Sequence, residues 1–119
     1  MKEKTISWYF FDYLTRRIAN EIKQSGIHIS TIYGIPRGGL VVAVRLSHLL
    51  DIPLITEIHI RNDTLVVDDI IDSGNQMAFA KYGLNAALFW NPNALFKPKF
   101  YGMERPDDTW IIFPWEVKI

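Results

Sequence analysis

The sequence contains no cysteine. That excludes a disulfide frame, thiolate catalysis and a Cys-ligated metal, and it fits a cytoplasmic protein. Net charge is absent too, because thirteen Lys plus Arg balance thirteen Asp plus Glu. No broad field remains to hold a polyanion, so nucleic acid is not an expected partner and any anion site must be local. Long apolar runs are also missing: Trp8 to Phe11 breaks at Asp12, and Gly39 to Val44 stops at Arg45. Neither reads as a signal peptide or a membrane span, so no membrane partner is expected. His28, His48 and His59 are scattered, without the spacing of metal ligands.

What is present is enough for a core. The chain has 119 residues, somewhat less than a typical domain of about 150, so a single domain over 1–119 is expected. Its 49% hydrophobic content supplies an interior without staples and excludes intrinsic disorder. Ile6, Phe10, Tyr13, Leu14, Ile18 and Ile22 recur at three- and four-residue steps, which predicts an amphipathic helix closed by Gly26. A strand is expected from about Ile29 to Ile35, a helix over Leu40 to Leu50 and a second strand over Leu54 to Ile60. The continuous run Leu65-Val66-Val67 ending in Asp68-Asp69 reads as a strand buried on both faces. A short helix from about Ser73 to Tyr82, a strand over Ala86 to Trp90 and a last strand over Trp110 to Phe113 complete the pattern. Such alternation predicts an α/β fold, a mostly parallel twisted sheet flanked by helices.

In open parallel sheets ligands bind beyond the carboxyl ends of the strands. Three polar clusters converge there: Arg37-Gly38-Gly39, Asp68 to Gln76, and Asn91-Pro92. The turn Asp72-Ser73-Gly74-Asn75-Gln76 leads from a strand into the expected helix, where unpaired amides and the helix dipole favour a phosphate. Ser73 and Gln76 also have the spacing of a capping box, which would satisfy the same donors without a ligand. Asp68 and Asp69 close an apolar strand, a position that packing does not explain. One can face a divalent cation or its water shell while the other accepts hydrogen bonds from ligand hydroxyls, and the plainer reading is an exposed strand end. Gly38 and Gly39 let backbone amides approach a ligand, with Arg37 beside them for a phosphate oxygen, unless the segment is only a tight turn. Taken alone, Trp90 and the aromatic segment Trp110 to Glu116 read as core.

Together these segments resemble a type I phosphoribosyltransferase. Leu65-Val66-Val67-Asp68-Asp69-Ile70-Ile71-Asp72-Ser73-Gly74 is similar to the family's 5-phosphoribosyl 1-pyrophosphate (PRPP) motif. Ile35-Pro36-Arg37-Gly38-Gly39-Leu40 resembles its pyrophosphate loop, and Asp108-Thr109-Trp110-Ile111 with Pro114-Trp115-Glu116 looks like the base-binding end of xanthine/guanine enzymes. The matches run in order from about Trp8 to Glu116. The resemblance implies a Mg2+-dependent purine phosphoribosyltransferase of purine salvage, which joins a 6-oxopurine-like base to PRPP and releases pyrophosphate. It implies that Ser73, Gly74, Asn75, Gln76 and Asp72 hold the 5-phosphate, and that Asp68 and Asp69 bind the ribose hydroxyls together with Mg2+. Arg37, Gly38 and Gly39 would face the pyrophosphate, and Asp72 would exchange a proton with N7 of the base. Trp110 would stack on the ring, the backbone of Ile111 would read its edge, and Glu116 would reach a second Mg2+ through water. Relatives of this type are usually dimers or tetramers, so a homo-oligomer is expected.

The sequence departs from the family pattern in three places. Only Arg61-Asn62-Asp63 separates the second apolar segment from the motif strand, where many relatives carry a long hairpin that closes over the reacting centre. Parallel neighbours need a longer crossover, so either an antiparallel edge or a much shortened second strand follows. Asn91 stands before Pro92 where purine enzymes usually have a lysine that donates to the 6-oxo group; as a base-binding residue Asn91 can donate one hydrogen bond but carries no charge, so a weaker or different base preference is expected. Asn75-Gln76 stands where a small or basic residue and then threonine are common. The missing hairpin leaves open a second function, a non-catalytic PRPP- or nucleotide-binding protein acting in regulation or assembly.

Overall fold

A computed structural model describes residues 1–57 and 59–119. In chain order the elements are β1 (Lys2–Thr5), α1 (Trp8–Ser25), β2 (Thr31–Gly34), α2 (Gly38–Leu50), β3 (Leu54–Ile55) and β4 (Thr64–Ile71). There follow a 3-10 turn (Ala78–Ala80), β5 (Leu84–Trp90), β6 (Phe100–Glu104), β7 (Thr109–Ile112) and a second 3-10 turn (Pro114–Glu116). Five strands form one sheet in the order β3-β2-β4-β5-β6, and every pairing in it is parallel. β1 and β7 make a separate parallel pair. No described helix is long and apolar enough to cross a membrane.

α1 begins where the Ser7 hydroxyl accepts the Phe10 N–H at 3.0 Å, and it ends where Gly26 turns left-handed at φ 69°. Its buried stripe is Phe11, Leu14, Thr15, Ile18, Ala19 and Ile22. Tyr13, expected on that stripe, is exposed and stacks on Phe10 instead. α1 and α2 pack on the same face of the sheet, in one core with Ile32, Leu65, Val67, Ala86 and Leu88. The opposite face carries Tyr33, Val66 and Ala87, covered by Met77 and Ala80 from the connection between β4 and β5.

Three expectations need correction. Of the strand expected over 54–60, only Leu54–Ile55 joins the sheet, while Ile58 lies outside the described residues. This is the shortened parallel strand, one of the two arrangements that the brief connection allowed. The helix expected over Ser73 to Tyr82 is a single 3-10 turn, Ala78–Ala80. Length explains it. The connection must return from the end of β4 to the start of β5, from the level of Ile71 to that of Leu65, roughly 20 Å at about 3.3 Å per residue. A helix over the expected span would rise about 15 Å and leave only Asp72 and Gly83 to cover the rest and to reverse the chain at both ends, which favours a more extended path. The third correction is β6, which lies in the Pro- and Lys-containing stretch from Asn91 to Asp108, where the sequence pattern gives no strand. Its Gly102 has no room for a side chain, because an added Cβ would lie 2.6 Å from the Leu88 carbonyl oxygen and 3.1 Å from Leu14.

Gly39 positions the start of α2. A Cβ there would sit 2.6 Å from the Val67 carbonyl oxygen and 3.1 Å from the Asp68 Cα, so the helix approaches β4 closely only because this residue lacks one. Gly39→Ala is expected to lower unfolding free energy by about 1–3 kcal/mol, whereas Gly83→Ala, whose Cβ would meet nothing nearer than 3.7 Å, should stay within about 0.5 kcal/mol. Urea denaturation of the two variants checks this.

Candidate active site

β4 outruns its neighbour. Gly34, the last residue of β2, pairs with Val67, and Ile35 makes a final bond to the Val67 carbonyl at 2.9 Å before the chain turns away. From Asp68 onward β4 pairs only with β5. The chain steps from β2 to β3 on one side, and the sheet continues through β4 on the other, so the order reverses between β2 and β4. A cleft opens at such a point beyond the strand ends. The Pro36–Arg37 peptide, which is cis, and the first turn of α2 form one wall.

Asp68 and Asp69 project into this cleft for a local reason. Val67 and Ile70 both pack on the helix side, whereas Val66 and Ile71 both pack on the other face. The two-residue alternation therefore slips across the two aspartates, and no ladder pair forms between Asp69 and β5. Their own carboxylates replace the missing backbone partners: Asp68 Oδ1 accepts the Asp69 N–H at 2.8 Å, and Asp69 Oδ1 accepts the Ile70 N–H at 2.8 Å. Both carboxylates consequently line the same two cavities, rather than dividing between opposite faces as strict alternation requires. Burial pushes Asp68 up to about 8, and the charge of Asp69 adds to the shift. Asp69 is also raised, first by burial and further by the negative charge of Glu116.

The two cavities meet at Asp68, Asp69 and Gln76. One, of about 280 Å³, is lined by Asp72, Ser73, Gly74 and Trp110. The other, of about 760 Å³, is lined by Pro36, Arg37, Gly38 and Glu116. The structure thus brings most of the expected residues together around one carboxylate pair, but Gly39, Asn75, Asn91 and Ile111 line neither cavity. Ile111 is buried and pairs with Lys4, directly after Trp110. Glu116 faces the cleft while its Oε1 accepts the Phe113 N–H at 2.8 Å.

The turn after β4 differs from expectation. Without a helix there is no dipole, and no capping box joins Ser73 to Gln76; the Ser73 hydroxyl instead accepts the Asn75 N–H at 3.1 Å. Gly74 adopts φ 91°, and the Leu95 N–H holds the turn through the Ser73 carbonyl at 2.9 Å. The N–H groups of Ser73, Gly74, Gln76 and Met77 enter no hydrogen bond among the described residues. They remain as donors, and the helix N-terminus that does face the cleft is that of α2, at Gly38.

Asn91 does not stand free. Its Nδ2 donates to Asp72 Oδ1 at 2.9 Å. The same oxygen lies 3.3 Å from a guanidinium nitrogen of Arg105, a buried residue that sequence reasoning missed. The available signal was a charged Glu104-Arg105-Pro106 cluster close before Thr109-Trp110, and it was unreadable while β6 was unrecognised. Trp110 is 47% exposed, a large apolar ring left open at the mouth of the cavity that contains Asp72.

The donor set can be tested against Mg2+. Among the described residues no group of three or more His, Cys, Asp or Glu could hold a metal ion. Two adjacent carboxylates facing an open cleft match an ion that keeps most of its waters and takes further oxygens from substrate phosphates. The residues fit on those terms, with Asp68 and Asp69 as the protein's share.

The raised Asp68 has a measurable consequence. Its folded-state value of about 8 lies above the unfolded value of about 3.9, so the folded chain binds the extra proton between these limits. The stabilisation is present in full below about pH 4 and is lost as pH rises through 8. Melting temperature should fall from pH 5 to pH 8.5, and Asp68→Asn should flatten most of that slope in a calorimetric pH series.

No protein-family model matches the chain. A curated relative, the xanthine-guanine phosphoribosyltransferase of Idiomarina loihiensis, is 30% identical over 149 aligned positions that cover 99% of this chain and 89% of that protein. Because the alignment is longer than the 119-residue chain, that relative carries residues with no counterpart here. The purine phosphoribosyltransferase of Pyrococcus horikoshii superposes with a TM-score of 0.83 at 28% identity, covering 100% of this chain and 97% of that one. The xanthine-guanine-hypoxanthine phosphoribosyltransferase of Helicobacter pylori shares the fold, with a TM-score of 0.81 at 22% identity over 97% and 93% of the two chains. With sequence kinship over nearly its whole length and the same overall fold, the chain belongs to the type I phosphoribosyltransferases, as a small member of their purine branch.

Proposed function

We propose that this phosphoribosyltransferase transfers ribose 5-phosphate from PRPP to a 6-oxopurine-like base, with release of pyrophosphate and with Mg2+ as cofactor. The observation that carries the reading is the meeting of two cavities at Asp68 and Asp69, one holding Asp72 and Trp110, the other Arg37 and Gly38. A sugar lying over the two carboxylates has its leaving group on one side and its base on the other. The names of the relatives, which are xanthine-guanine and purine enzymes, support the choice of base class.

Breaking the bond between C1 and pyrophosphate builds positive charge on the ribose and negative charge on the departing oxygens. The Asp68 and Asp69 carboxylates lie where the ring becomes cationic. The α2 amides at Gly38 and Gly39, with the Arg37 guanidinium, take the pyrophosphate. The free N–H groups of Ser73, Gly74 and Gln76 receive the 5-phosphate. On the other side Trp110 stacks on the base, the backbone at Ile111 meets its edge, and Asp72 exchanges a proton with N7. Asp68 and Asp69 would hold Mg2+, which would supply charge neutralisation to the leaving group, and Glu116, which lines the same cleft, would hold a second ion through water.

Incubating the protein with PRPP, Mg2+ and hypoxanthine, guanine or xanthine should release pyrophosphate with at least one base, and silence with all three would overturn the reading. Asp72→Asn should lower kcat by about 10²–10⁴-fold without weakening PRPP binding. Trp110→Ala should raise the KM for the base by roughly 10-fold or more, and steady-state kinetics in both substrates separates the two effects.

A further inference from the structure

We propose that Arg105 is the positioning residue of the base site, holding the proton-exchanging carboxylate and the stacking ring at a set separation; this rests on the role given to Asp72 above. Arg105 has a side chain only 8% exposed. Its Nη1 donates to the Thr109 carbonyl at 2.7 Å, and its Nη2 lies 3.3 Å from Asp72 Oδ1. Thr109 directly precedes Trp110. One planar cation therefore connects the end of β4 to the start of β7, two strands that belong to different sheets and do not pair.

Stability alone does not account for this arginine. A buried guanidinium carries a desolvation cost that is recovered only when every nitrogen is satisfied, yet Arg105 Nε is buried without a partner. The partner carboxylate is itself 44% exposed and opens onto the cavity, where water weakens the pair. The arrangement instead sorts the oxygens of Asp72. Asn91 Nδ2 and Arg105 Nη2 both approach Oδ1, while Oδ2 enters no hydrogen bond among the described residues. Oδ2 is then the oxygen presented to the base, at a distance from Trp110 set by the rigid fork of the guanidinium. Lysine has a single ammonium and cannot span both acceptors in this way.

Arg105→Gln is expected to lower kcat/KM for the base by about 10–100-fold, the range produced when a reacting group is misplaced by around 1 Å. The KM for PRPP and the melting shift induced by PRPP should change less than twofold, because Arg105 does not line the cavities around Asp68 and Asp69. Arg105→Lys should recover part of the loss. In an Asp72→Asn background the Arg105→Gln change should cost less than twofold, since the group it positions is gone. Equal losses toward base and PRPP, a multiplicative loss in the Asp72→Asn background, or full activity in Arg105→Gln would each overturn the proposal. If Arg105→Gln fails to fold, Arg105→Lys is judged by the same criteria. Near wild-type turnover in Asp72→Asn marks the failure of the Asp72 assignment itself, whereas an Asp72→Asn slowed by the expected about 10²–10⁴-fold beside a fully active Arg105→Gln marks the failure of this proposal alone.

Discussion

The structure depends on one conflict at the carboxyl end of β4: two carboxylates placed where a parallel sheet wants apolar side chains. The strand relieves it by losing its alternation between Val67 and Ile70, so that both aspartates turn toward the cleft and bond the next backbone N–H themselves. Burial there raises Asp68, which means the folded chain is less stable with both groups charged than with one. A site strained in this way favours anything that brings positive charge into it. In the proposed reaction the divalent cation and the ring of a departing ribose would both do so, and the same electrostatics that weakens the empty protein would strengthen the loaded one.

Everything around that strand end is arranged to let other backbones approach. Gly39 sets α2 against the Val67 carbonyl and the Asp68 Cα, which brings the helix N-terminus and the Pro36–Arg37 peptide alongside the carboxylates. β2 stops at Gly34 and leaves the last turns of β4 open on one side. The economy of the chain shows in its connections. Residues 72–83 cross from β4 to β5 with one 3-10 turn, so both long helices sit on one face and the other is covered thinly by Met77 and Ala80. In the proposed reading, phosphate recognition after β4 accordingly rests on backbone donors in an irregular turn, without the dipole of a following helix.

Much of this was legible in the sequence, and the failures have physical causes. The apolar run ending in Asp68-Asp69 fixed the central strand and the cleft because few packing arguments place two acids there. α1 and α2 followed from their periodicity, with the shared face hidden because periodicity gives a buried stripe and not the side on which it lands. The helix after Ser73 was misread since its capping signals are local, whereas the distance the connection must cover is set by strand lengths far away. β1 shows no apolar pattern at all, being four exposed residues held by pairing with β7. β6 was obscured by Gly102, which looks like a break in a strand but is required where Leu14 and the Leu88 carbonyl press in.

The same blindness concealed the partner of Asp72. Asn91, read by position, is a neutral residue facing the base where a cation is usual in the family, and on that reading the site is short of positive charge. In space Asn91 is turned toward Asp72, and a cation reaches the same oxygen from the end of β6. A cation thus stands beside the acid although Asn91 itself carries no charge. Its guanidinium, which also binds the Thr109 carbonyl, couples the carboxylate to the ring of Trp110. A small chain without a closing hairpin has few ways to hold a base still, and coupling the two faces of the base site through one buried fork is a way that needs no additional residues.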